Sequence, residues 1–350
     1  MSRFLSGRLA ALSPYVPGEQ PLGKQYVKLN TNESPFPPSP FAARLAREEA
    51  GLLNLYSDPD CRSLKAVACD LLGVSENEII FTNGSDEILN FAFSAFCDGK
   101  TGAVFPDITY GFYRVFADLY GVKYTEIPLS DDLTVNPDDY VKSGKTVFIA
   151  NPNAPTGIAL PLPDIEKIVA SNPDNIVVVD EAYIDFGGQS AAILTKKYGN
   201  LLVTRTFSKS RSLAGARLGF GIACPSLISD LERIRYSTNP YNVNRMTMCA
   251  GIGALADGEY FEKCVSEIKK NRGFITEKLR SLGFSVTDSS ANFVFARHPE
   301  AGGKELYLAL KERGILVRHF DAERIKDYNR ITVGSAEEMQ KLAETLEEIL

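Results

Sequence analysis

The chain has 350 residues, 44% of them hydrophobic and 23% charged, with a net charge of −6 at pH 7. That is globular composition at a length that accommodates two domains. No basic stripe marks a nucleic-acid footprint, and no apolar run approaches the roughly 18 residues that span a bilayer, so neither partner is expected.

The N-terminal stretch MSRFLSGRLAALSPYVPGEQ carries Arg8 inside its apolar run and has no clear cleavage site. It reads as an arm, not a signal peptide, and the chain as a soluble cytoplasmic protein. From about residue 77, short β-rich runs alternate with helical patterns. The runs are EIIF, GAVF, KYTEIPL, TVFIA, NIVVVD, LLVTRTF and LGFGIA. Several are continuously apolar, as strands covered on both faces should be. Such alternation predicts an α/β domain with a mostly parallel sheet. Near residue 257 the pattern changes to one long helix, EYFEKCVSEIKKNRGFITEKLRSLG, ended by Gly283. Strands FSVTD and NFVFAR, a helix KELYLALKERG, strands ILVRHF and RITVG, and a last helix follow. Ser335 and Glu338 form a capping box at the start of that helix. The result is a large domain over residues 46–256 and a small α+β domain built from 1–45 and 257–350.

Only two histidines are present, His298 and His319, and neither adjoins a motif. A histidine-based metal site or a Ser-His-Asp triad is therefore not expected. The six cysteines, at 61, 69, 97, 224, 249 and 264, form no CxxC pair and read as free thiols.

Four polar constellations sit where strands end, the edge at which open α/β sheets bind ligands. In EIIFTNGSDEILNFAFSAF a helix begins near Ser85, and its free N–H groups suit a phosphate as well as an ordinary cap. In NIVVVDEAYIDF, Asp180 and Glu181 follow four apolar residues, as site carboxylates or strand-end caps. Lys209 stands among hydroxyl residues in TRTFSKSRSLAGAR, with Arg217 eight positions on. A sheltered lysine can attack carbonyls, whereas a solvated loop lysine does nothing of the kind. The fourth is NPNAPTGI, a loop of prolines, asparagines and a glycine after TVFIA. A loose GxGxxA pattern in GIGALA lies inside a helical stretch with no strand before it. It reads as small residues in helix packing, not as a dinucleotide site.

In their order along the chain, SPYVPG, LYSDPDCRSL, NGSDE, ITYGFYRVFA, NPNAPTG, DEAYIDF, TFSKSRSLAGARLGF and NFVF resemble the histidinol-phosphate aminotransferase family. These are fold type I enzymes that use pyridoxal 5′-phosphate (PLP), with a seven-stranded sheet in the large domain. The likeness runs from Leu29 to Met339. It implies that Lys209 is the Schiff-base lysine and moves a proton between substrate and cofactor. It implies that Asp180 pairs with the ring nitrogen, Tyr110 stacks on the ring and Tyr183 donates to its phenolic oxygen, O3′. Ser85, Asp86, Thr206, Ser208 and Arg217 would hold the phosphate. On the substrate side it points to Tyr15, Asn32, Tyr56, Arg318 and Arg330, with Tyr56 reaching across a homodimer. The implied reaction is transamination between L-histidinol phosphate and 2-oxoglutarate, a step of histidine synthesis. An aromatic-amino-acid aminotransferase or a threonine-phosphate decarboxylase on the same scaffold is the alternative. The family's usual asparagine before Pro-Thr-Gly, which donates to O3′, is here Ala154, so that contact is missing. Relatives also raise a cis Ala154–Pro155 bond.

Overall fold

The computed structural model describes residues 2–10, 12–20 and 26–350. All seven runs form strands of one sheet. Their spatial order is Ile79–Thr82, Gly219–Ala223, Leu201–Thr206, Val177–Asp180, Thr146–Ala150, Ala103–Pro106, Tyr124–Ile127. Gly219–Ala223 runs antiparallel to both neighbours, and the other pairings are parallel. Both faces are covered, which explains the continuous apolar runs. Phe148, Val178 and Leu202 pack on one side with residues of helices Ser85–Phe96 and Phe112–Tyr120. Val147, Val177, Val179, Leu201 and Val203 alternate to the other side, against helix Leu162–Ser171. The carboxyl ends of the parallel strands converge on one edge, where Asp180 and the 206–209 turn lie.

A second core gathers Leu29, Ile268, Ile275, Leu279, Val294, Leu310, Ile331, Leu342 and Leu346. It lies between an antiparallel sheet, ordered Arg318–His319, Tyr328–Thr332, Phe293–Arg297, Ser285–Val286, and helices Gly258–Ser281, Gly303–Glu312 and Ala336–Ile349. The last helix has the expected capping box between Ser335 and Glu338. ILVRHF, expected as one strand, is two. Ile315–Leu316 pairs with Val27–Lys28, whereas Arg318–His319 joins the four-stranded sheet. This junction ties the N-terminal segment to the second core.

GIGALA lies inside helix Arg245–Ala256. A Cβ on Gly253 would come within 2.5 Å of Ala42 Cα, so the glycine is what lets helix Pro40–Glu49 pack against it. The six cysteines are free. No helix among the described residues is long and apolar enough to cross a membrane.

Candidate active site

A cleft of about 470 Å³ opens between the carboxyl edge of the large sheet and the strands Arg318–His319 and Tyr328–Thr332. Of the fourteen residues singled out from the sequence, the cleft is lined by all but Tyr56. Tyr56 is 79% exposed and stacks on Tyr241 with ring centroids 4.5 Å apart, outside the cleft.

The phosphate-type corner is built by close backbone approach. Strand Ile79–Thr82 ends, Gly84 turns at φ +77°, and helix Ser85–Phe96 starts. A Cβ on Gly84 would lie 2.5 Å from Arg217 Nη2, and one on Gly219 would lie 2.4 Å from the Ser85 nitrogen. Glycine at both places brings the helix N-terminus, with its free N–H groups, against the guanidinium. Thr206 donates to Ser208 Oγ (2.9 Å) and accepts from the Ser208 amide (3.1 Å). Arg217 Nη1 reaches Ser208 Oγ at 3.4 Å, and its Nη2 donates to Asp86 Oδ2 at 2.9 Å. The Asp86 carboxylate also accepts from Tyr110 Oη at 2.7 Å. Beyond the backbone role expected of it, Asp86 therefore joins the aromatic wall to the cationic corner.

Asp180 ends its strand, 5% exposed. Tyr113 Oη donates to its Oδ2 (3.1 Å) and Thr204 Oγ1 to its Oδ1 (3.2 Å). Burial pushes its carboxyl up to about 6, against the pull of these two hydroxyls. Neither Tyr113 nor Thr204 was singled out from the sequence. Thr204 sits two positions before Thr206 on strand Leu201–Thr206, so period-2 alternation puts both on the same side of the strand. Tyr113 follows Tyr110 within ITYGFY, but nothing local tells which tyrosine faces the carboxylate.

Lys209 is partly buried, its Nζ donating to the Thr31 carbonyl at 3.2 Å. Burial, with Arg330 close by, brings its amine down to about 8. About one molecule in ten then carries the neutral, nucleophilic amine at pH 7. Tyr183 is edge-on to Phe293, 5.1 Å between centroids, and accepts from Asn32 Nδ2 at 3.0 Å. Burial raises its phenol, while Arg330 and Asn32 draw it back.

Arg318 and Arg330 stand directly opposite each other on neighbouring antiparallel strands. Arg330 donates to the Asn30 carbonyl (3.1 Å), and its Nε is buried with no partner. Arg318 reaches the carbonyls of Val16 and Pro17 at 3.3 and 3.4 Å. Tyr15 stacks on Phe112 at 4.2 Å and forms the lip. The loop NPNAPTG contributes Pro152, Ala154 and Pro155. The Ala154–Pro155 bond is cis, as is Asn151–Pro152, which was not anticipated. Asn153 does not fill in for the missing asparagine. Its amide donates to the Ile108 carbonyl and Thr156, and its oxygen accepts from Thr109.

An anion cup, a buried carboxylate, a tyrosine ring and an amine of depressed basicity suit a phosphorylated pyridine aldehyde. Arg330, which lines the same cleft and has no carboxylate partner among the described residues, adds a cation suited to a further anion. On this sheet, with the lysine at its carboxyl edge, those groups define a PLP-dependent aminotransferase of fold type I. Comparison with known proteins agrees. The family model for aminotransferase class I and II matches residues 24–346. The histidinol-phosphate aminotransferase of Brachyspira hyodysenteriae is 47% identical over 352 residues, covering 100% of this chain and 99% of that protein. That of Aromatoleum aromaticum is 46% identical over 355 residues, covering 100% of both. The solved histidinol-phosphate aminotransferase of Sinorhizobium meliloti, in complex with pyridoxal 5′-phosphate, superposes with a TM-score of 0.90 at 23% identity, over 100% of this chain and 99% of that one. The chain belongs to the histidinol-phosphate aminotransferase family.

The corner around Arg217 yields a direct test. Charge-assisted hydrogen bonds contribute about 1.5–3 kcal/mol each. Arg217→Leu is expected to weaken PLP binding by about 10–100-fold in an equilibrium titration. An unchanged dissociation constant would remove Arg217 from the phosphate corner.

Proposed function

We propose that the chain transaminates L-histidinol phosphate with 2-oxoglutarate, giving imidazole-acetol phosphate and glutamate for histidine synthesis in the cytoplasm. The observation that carries this is the pair Arg318 and Arg330. Like charges directly opposite across two strands destabilise a sheet unless an anion lies between them. Among the described residues neither guanidinium has a carboxylate partner; each meets backbone carbonyls and the face of an aromatic ring. They form a receptor for a phosphate or carboxylate in the same cleft, and the relatives' names supply the substrate.

The bound cofactor supplies an electron sink for charge developing at the substrate's Cα. The protein does the rest. Arg217, Ser208, Thr206 and the helix N-terminus at Ser85 and Asp86 hold the cofactor phosphate. Tyr110 covers the ring face, and Asp180 keeps the ring nitrogen protonated. Tyr183 donates to the phenolic oxygen. Lys209, displaced from the cofactor by the incoming amine, would take the proton from the substrate's Cα and deliver it to the cofactor carbon that had held the lysine. Two successive half-reactions in one cleft give ping-pong kinetics.

The domains follow the same division of labour. The large PLP-binding domain is placed over residues 46–256 and the small one over 1–45 with 257–350, with one shift at the first boundary. Helix Pro40–Glu49, packed on Arg245–Ala256, goes with the large domain. Tyr56 lies in an exposed apolar stretch with Leu52, Leu53 and Leu55. In a homodimer it would enter the partner's cleft. A kinetic panel of histidinol phosphate, phenylalanine and threonine phosphate tests the assignment. The highest kcat/KM is expected with the first. Better turnover of either other would transfer the enzyme to the aromatic or decarboxylase branch.

A further inference from the structure

We infer that Asn32 is a positioning residue that aims the single proton of the Tyr183 hydroxyl into the cleft, toward the phenolic oxygen of the bound cofactor. The inference rests on reading Tyr183 as a donor to that oxygen. It goes further by assigning what fixes the donor in a chain that has Ala154 where a second donor would stand.

The hydrogen bonds around Asn32 leave one arrangement. Its backbone amide donates to Thr332 Oγ1 at 2.9 Å. That hydroxyl has therefore spent an acceptor site and directs its own proton to Asn32 Oδ1, 3.1 Å away. With Oδ1 so occupied, the amide nitrogen Nδ2 is the atom facing Tyr183 Oη, at 3.0 Å. An amide NH₂ only donates, so Tyr183 accepts here. The phenol has one proton, and it is left free to go elsewhere. The backbone is fixed as firmly as the side chain. Asn32 sits at φ +55°, a left-handed conformation that asparagine tolerates better than most residues, and Asn292 Nδ2 donates to its carbonyl at 3.1 Å. Both Asn32 and Asn292 are buried.

Accepting a hydrogen bond also makes the phenol a stronger donor, because chained hydrogen bonds polarise one another in a low-dielectric site. The effect falls where the loop is deficient. Ala154 offers no donor, and Asn153 is committed to Ile108, Thr156 and Thr109. Asn32 therefore acts on the cofactor's electronics through Tyr183, without having to touch substrate.

The readout is the pKa of the covalent link between Lys209 and the cofactor, followed in the holoenzyme by its visible absorption against pH. A donor to the phenolic oxygen draws off negative charge that would otherwise hold the proton on the link. Losing the donor raises the pKa. Asn32→Gly suits the left-handed backbone, and it is expected to raise the pKa by about 0.5 pH unit. Tyr183→Phe should raise it by at least as much. In the Tyr183→Phe background, Asn32→Gly should add nothing, since its route is gone. Asn32→Asp keeps the size and backbone preference, and turns the contact into an acceptor that competes for the Tyr183 proton. It serves if the glycine variant does not fold, with the part of its shift that passes through Tyr183 lost in the double variant. Equal shifts with and without the Tyr183 hydroxyl would overturn the inference and leave the Tyr183 role standing. No shift in Tyr183→Phe would overturn both.

Discussion

Lys209→Ala protein is expected to bind PLP yet turn over at least about 10⁴-fold more slowly than its parent. The two halves of that result come from different atoms. Affinity is expected to reside largely in the corner made by Arg217, Ser208, Thr206 and the N-terminus of Ser85–Phe96, which hydrogen-bond among themselves rather than to Lys209 Nζ. Turnover needs an amine that is neutral part of the time and placed to reach a carbonyl. The Lys209 amine meets both demands, brought down to about 8 by burial and by Arg330, with the Thr31 carbonyl holding its Nζ at 3.2 Å. Borohydride should fix cofactor to the parent at Lys209 and to nothing in the variant. Small primary amines added to the variant should restore part of the rate, since they supply the missing base. A variant within tenfold of its parent would place the proton transfer on another group.

Most strands of the large sheet were legible because they are buried on both faces and so largely apolar, the edge strand Tyr124–Ile127 being the partly exposed exception. The motif residues were legible because strand ends carry them. The contacts were not. ILVRHF looks like one strand because no glycine, proline or other turn residue interrupts its six positions. What divides it is Val27–Lys28, nearly 300 positions away, which takes Ile315–Leu316 while Tyr328–Thr332 takes Arg318–His319. Asn32 read as a substrate contact because its segment lies near the site. It does line the cleft, and its side chain bonds Tyr183 and Thr332, 151 and 300 positions distant, which no local pattern shows. Tyr113 is the same kind of case. A buried tyrosine in an apolar helix looks like core, and only the register that sets Asp180 beneath it shows a second use. Sequence thus reveals which groups a site has, while the hydrogen bonds that tune them depend on pairings set by the whole fold.

Asp180→Asn should lower kcat on the order of 10²–10³-fold, with substrate KM little changed, because it removes a preorganised charge rather than a binding contact. The carboxylate is held by Tyr113 and Thr204 in a site nearly closed to water, so its charge acts at short range through a low dielectric. The same burial leaves a signature in stability that is independent of turnover. In protein stripped of cofactor, burial raises the Asp180 carboxyl from 3.8 to about 6. Between those values the folded state holds a proton that the unfolded state has lost, so stability falls as pH rises through that window. Below it both states are protonated and nothing is lost. Above it the full penalty applies, about 3 kcal/mol. Glu181, which burial raises to about 7, acts in the same direction but is present in parent and variant alike. Denaturant unfolding of the two stripped proteins should therefore diverge between pH 4 and 6, with Asp180→Asn gaining on its parent. Adding PLP should reverse the order above pH 6, since a protonated ring nitrogen supplies the cation that a buried carboxylate lacks. A stability difference that stays flat with pH, or that PLP leaves untouched, would mean that Asp180 does not face the ring nitrogen.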